Sequence, residues 1–109
     1  MIEVRFEKKK RHLILRVNGH AGSAAKGHDL ICAACSTLTY TLAQYLEVVK
    51  SQGLLKKSPE IVLEEGNAML ICKPKKNALP YIQEGFFVIQ SGFALLAANN
   101  PDYITLYAD

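Results

Sequence analysis

The chain has 109 residues, half of them apolar, with 13 basic side chains against 10 acidic ones and a net charge of +3. That length and apolar content read as one globular domain spanning 1–109 around a single core, and they exclude a disordered chain. No apolar run has the length of a membrane span, no charged-then-apolar leader opens the sequence, and three cysteines do not make a disulfide framework, so the expectation is a cytoplasmic protein with free thiols.

Ile2, Val4 and Phe6 alternate with Glu3, Arg5 and Glu7, the period of a half-buried strand. The charged break from Lys8 to Arg11 leads to a second alternation on Leu13, Leu15 and Val17, which predicts a hairpin. Gly19 to Gly27 holds no apolar side chain larger than alanine, so it reads as a mobile loop. Asp29 reads as a helix N-cap, followed by a helical apolar face of Ile31, Cys35, Leu38, Leu42, Tyr45 or Leu46, and Val49, with Gly53 as the stop.

Two short apolar strands, Ile61 to Leu63 and Met69 to Ile71, flank Gly66-Asn67 as a tight hairpin. Pro80 fits the first turn of a second helix running to about Ala98. Gly85 and Gly92 lie inside that helix and predict close approach by another element, a second subunit being one candidate. Tyr103 to Tyr107 reads as a last strand. The predicted order is β-β-α-β-β-α-β, an α+β fold with two helices packed on a mostly antiparallel sheet.

The chemistry concentrates between Gly19 and Ser36. With Asp29 as cap, Cys32 is the third helical residue, near the unpaired N–H groups of the first turn. The partial positive charge there favours a thiolate, and the same N–H groups suit an oxyanion. His20, twelve residues upstream at the loop entrance, supplies an imidazole able to act as base. A helical wheel separates the two neighbouring cysteines. Cys35 falls on the core ladder with Ile31, Leu38 and Leu42, while Cys32 falls on a polar stripe with Ser36, Thr39 and Tyr40.

Other readings use the same residues. A cysteine is more often a small buried hydrophobe than a nucleophile, and His20 can simply end a strand. Asp29 can cap, orient His20, or do both. Cys32 and Cys35 have redox C-x-x-C spacing, although that chemistry needs both sulfurs accessible. His20, His28, Cys32 and Cys35 can be counted as four zinc ligands, but an alanine-rich helix is a poor zinc knuckle, and no metal is expected. His12 and Cys72 read as structural, and Lys8 to Arg11 as a solvated turn. A different class of function, a non-catalytic ribosome-associated binding module, would use that basic turn and the loop.

The run Gly19-His20-Ala21, then Gly27-His28-Asp29 and Cys32-Ala33-Ala34-Cys35-Ser36, resembles the ribosomal-processing cysteine protease family, called Prp. The resemblance implies a small homodimeric cysteine endopeptidase of the bacterial cytoplasm. It implies a substrate: the N-terminal extension of large-subunit ribosomal protein twenty-seven. By motif position it makes Cys32 the nucleophile and His20 the general base and acid, with Asp29 and Ser36 supporting. It makes Gly19, Ala21, Gly22 and Gly27 part of a loop over the substrate. It implies no cofactor, no membrane and no need for direct nucleic acid binding. Cys35 and His28 depart from the family pattern, and Cys35 adds a second thiol prone to oxidation with its neighbour.

Overall fold

The computed structural model describes residues 1–20 and 26–109. In chain order the elements are β1 (Ile2–Lys9), β2 (His12–Gly19), α1 (Lys26–Ser51), β3 (Glu60–Glu64), β4 (Asn67–Cys72), a single 3-10 turn (Lys76–Ala78), α2 (Leu79–Asn99) and β5 (Ile104–Ala108). The strands form one sheet in the order β3-β4-β2-β1-β5. All neighbours are antiparallel except β1 and β5, which run parallel. The expected α+β architecture and element order are both present.

The period-two patterns dictate which sheet face is covered. Ile2, Val4 and Phe6 of β1, Leu13 and Leu15 of β2, Leu70 and Cys72 of β4, and Ile104 of β5 are all buried in one core. The helices lie on that face. α1 contributes Ile31, Cys35, Leu42, Ala43, Leu46 and Val49, and α2 contributes Ile82, Phe86, Ile89 and Phe93. Phe93 meets Phe6 edge to face with ring centroids 5.9 Å apart, the arrangement that the ring quadrupoles prefer. The outer face carries Glu3, Arg5, Glu7 and Arg16, loosely paired at 3.7 Å between Arg5 and Glu3 and between Arg16 and Glu7. Such exposed pairs contribute little to stability.

The glycines of α2 meet α1. A Cβ on Gly85 would stand 2.6 Å from Cε2 of Tyr45, and one on Gly92 would stand 2.8 Å from Cδ2 of Leu38. The close approach expected at these positions is therefore made within the chain, where the missing side chains let the two helices cross tightly. The helix stop is also as expected: Gly53 has φ +75°, and Leu54 N–H donates to the Val49 carbonyl at 3.0 Å.

Two turns differ in detail from the expectation. The β1–β2 turn is only Lys10-Arg11, because Lys9 pairs with His12. Lys10 takes φ +58°, since the twist of a two-residue hairpin demands a left-handed residue. In the β3–β4 hairpin Asn67 pairs with Glu64, so the turn residues are Glu65-Gly66 rather than Gly66-Asn67. Gly66 has φ +75° and supplies the left-handed position, which leaves Asn67 free to begin β4.

The larger correction concerns the start of α1. The helix begins at Lys26, so Asp29 is its fourth residue, not its N-cap, and Cys32 is its seventh. Gly27 likewise belongs to the first helical turn and not to the loop. No proline bars a helix through Lys26-Gly27-His28. The added backbone hydrogen bonds of one more turn outweigh a capping preference of about 1 kcal/mol. Ala21 and Gly22, with the mobility expected of their loop, lie outside the described residues.

Candidate active site

A cavity of about 280 Å³ opens between α1, the end of β2 and the β3–β4 turn. Cys32, Ser36, Thr39 and Tyr40, the four residues of the predicted polar stripe, all line its α1 wall. Gly19 and His20 line it from the end of β2, and Glu64 to Ala68 form the wall facing the helix. His20, Cys32 and Ser36 thus line one opening.

His20 is held through its backbone. Gly19 takes φ +101°, and its N–H donates to the Gly66 carbonyl at 3.0 Å. A Cβ on Gly19 would collide with the Met1 carbonyl oxygen, so glycine is required there. The amine nitrogen of Met1 donates to the His20 carbonyl at 2.6 Å. The exposed imidazole lies against Gly66, so that a Cβ on Gly66 would fall 2.6 Å from its Nε2. Among the described residues, no hydrogen bond joins His20 to Cys32, although the two share the cavity.

The three cysteines differ in setting. Cys32 is half-buried, while Cys35 and Cys72 are buried, and all three are free. Burial pushes the Cys35 thiol up to about 11, with the neighbouring Cys32 adding to the shift. Burial alone pushes Cys72 up to about 12. Both are held as neutral thiols at physiological pH. Cys35 reaches the buried side of the cavity but belongs to the core, as the wheel predicted. Thr39, one turn after Cys35, is buried and donates its hydroxyl to the Cys35 carbonyl at 2.8 Å, so it serves the helix rather than the opening.

The early start of α1 changes the electrostatics expected at Cys32. The unpaired N–H groups are those of Lys26 to Asp29. At 1.5 Å per residue they lie roughly 4.5–9 Å further along the axis than Cys32. The field of a helix end fades within its first turn, and the Cys32 N–H is itself inside the hydrogen-bonded ladder. The helix-end oxyanion hole expected from the sequence is therefore displaced from the thiol. The hydrogen-bond donors that the described walls present include the Ser36 and Tyr40 hydroxyls and the Asn67 amide.

The facing wall was not legible as part of the site. Glu64, Glu65, Gly66 and Asn67 read locally as a hairpin turn and nothing more. What brings them to His20 is the pairing of β2 with β4, in which Asn18 sits opposite Asn67. No local signal carries that register. Among the described residues, no group of three or more His, Cys, Asp and Glu side chains is placed to hold a metal ion. No described helix is long and apolar enough to cross a membrane.

Known structures share this arrangement of elements. SMU.848 from Streptococcus mutans is 31% identical, with 99% of this chain and 93% of that chain covered and a TM-score of 0.73. The essential ribosomal processing protease Prp from S. aureus, in complex with a substrate peptide, has the same fold at a TM-score of 0.72 and 14% identity, with both chains fully covered. The same S. aureus protease with a covalently linked product peptide gives 0.70 at 17% identity, again with both chains fully covered. No curated protein matches. A family model described as cysteine protease Prp matches residues 1–105, which hold both helices and almost the whole of the sheet, and the chain belongs to that family.

Proposed function

We propose that this protein is a cysteine endopeptidase that removes the N-terminal extension of large-subunit ribosomal protein twenty-seven, with Cys32 as nucleophile and His20 as general base and acid. One observation carries the reading. Of the three thiols, Cys32 alone is only half-buried, and it opens on the cavity that His20 also lines. The family and the peptide-bound S. aureus protease support the substrate class, and the covalently linked product peptide of that protease supports a covalent intermediate.

The chemistry follows from the residues. A peptide lies between α1 and the β3–β4 turn. His20 takes the Cys32 proton, the sulfur attacks the scissile carbonyl, and the Ser36 hydroxyl and Asn67 amide, which line the same cavity, donate to the oxyanion. His20 then protonates the leaving amine, and water releases the acyl group. The hydrogen bond between His20 and Cys32 forms when substrate fills the cavity, since catalytic contacts are often long in the free enzyme. Asp29 supports the dyad from the first turn of α1, and the chain between β2 and α1 covers the bound peptide. No cofactor takes part.

The protein acts in the cytoplasm as a homodimer. Tyr81, Phe87, Val88 and Leu95 expose a run of large apolar side chains along α2, which supports an interface there. The test of the reading is mass spectrometry of an extension-bearing ribosomal protein after incubation with wild type, Cys32→Ala and Cys35→Ala. Wild type and Cys35→Ala shorten it, and Cys32→Ala leaves it intact. Equal loss in both variants points to redox or metal chemistry instead.

A further inference from the structure

We infer that Gly66, on the β3–β4 turn, is a positioning residue for His20: its missing side chain is the seat of the imidazole. The inference rests on the reading of His20 and Cys32 as the reacting pair.

The seat is built from three features. The Gly19 N–H to Gly66 carbonyl bond of 3.0 Å fixes the two backbones side by side. The imidazole then lies over the Gly66 α-carbon, with Nε2 2.6 Å and Cε1 2.8 Å from where a Cβ would be. Finally, the ring is exposed, and its packing against the turn is the close contact that the described residues give it. Any residue with a Cβ must push the ring from 2.6 Å to the 3.4 Å of ordinary contact, a displacement of roughly an ångström. A misplacement of that size at a reacting group costs about a hundredfold in rate.

The turn alone does not explain glycine at this position in the same way. Gly53, after α1, has the identical φ of +75°, but a Cβ there meets nothing within 4 Å. Gly53→Ala therefore carries the same left-handed backbone strain as Gly66→Ala without the contact to His20. Because the imidazole is the far end of an exposed side chain, Gly66→Ala displaces it without unfolding the hairpin.

The experiment uses the full chain and two readouts. The first is the NMR signal of the His20 Cε1 proton, assigned by its loss in His20→Gln. The second is cleavage of an extension-bearing ribosomal protein. Gly66→Ala is expected to move the signal and lower kcat ten- to a hundredfold, with KM within about threefold of wild type. Gly53→Ala is expected to leave both readouts unchanged at a similar loss in Tm. If Gly66→Ala does not fold, Gly66→Asn, which accepts a left-handed backbone, takes its place with the same expectations. An unmoved signal overturns the proposal, as does a kcat that is retained or raised. A wild type that cleaves nothing removes the reacting pair and the positioning role together, and the His20 signal in Gly66→Ala still reports whether the contact exists.

Discussion

Alkylation with iodoacetamide is expected to single out one cysteine of three. Rates follow the thiolate fraction and access. With its pKa pushed up to about 11 by burial and by Cys32, Cys35 has about one thiol in a thousand ionised at pH 8. Cys72, pushed up to about 12, has about one in ten thousand. An ordinary thiol near 8.5 is about one quarter ionised at the same pH. Ionisation alone thus slows Cys35 by roughly 250-fold and Cys72 by roughly 2,500-fold against an ordinary thiol. Burial of both side chains slows them further. Peptide mapping by mass spectrometry after a time course at pH 8 should show Cys32 carbamidomethylated alone, with the protein still folded. Modification of Cys35 or Cys72 at a rate within tenfold of Cys32 would refute the argument that burial separates them.

The remaining predictions address base, pH and packing. His20→Gln should lower kcat by about 10²–10⁴-fold, the usual worth of a general base, with little change in Tm because the ring is exposed; a variant that retains most activity contradicts the role. Cys35 and Cys72 titrate higher when folded than unfolded, so the stability they contribute is fully present below about pH 8.5 and is lost as pH climbs through 11 and then 12. Cys72→Val should flatten the alkaline fall in Tm, and an identical slope argues against the assignment. Gly85→Ala gains about 1 kcal/mol of helix propensity but forces a Cβ to 2.6 Å from the Tyr45 ring, and such overpacking costs typically about 1–3 kcal/mol. The net result in urea unfolding should be a loss of up to about 2 kcal/mol, and a gain would mean that α1 and α2 part easily.

Much of the fold was legible because its signals are local. Ile2, Val4 and Phe6 alternate strictly, and Ile82, Phe86, Ile89 and Phe93 recur at helical spacing, so element order and core faces could be read directly. The wheel placed Cys35 in the core and Cys32 on a stripe with Ser36 and Tyr40, and that division survives in the cavity wall. The start of α1 was misplaced by one turn. Asp29 offers a cap, and a cap preference is small against the hydrogen bonds of an extra turn. The facing wall was invisible for another reason. Glu64 to Asn67 lie more than forty residues from His20 in sequence, and only the β2–β4 register joins them.

The most direct test of the account is the fate of an extension-bearing ribosomal protein twenty-seven incubated with wild type and with Cys32→Ala, read as intact mass. The account predicts that wild type removes the N-terminal extension at a single bond and that Cys32→Ala removes none. Cleavage by Cys32→Ala at the wild-type rate would contradict it.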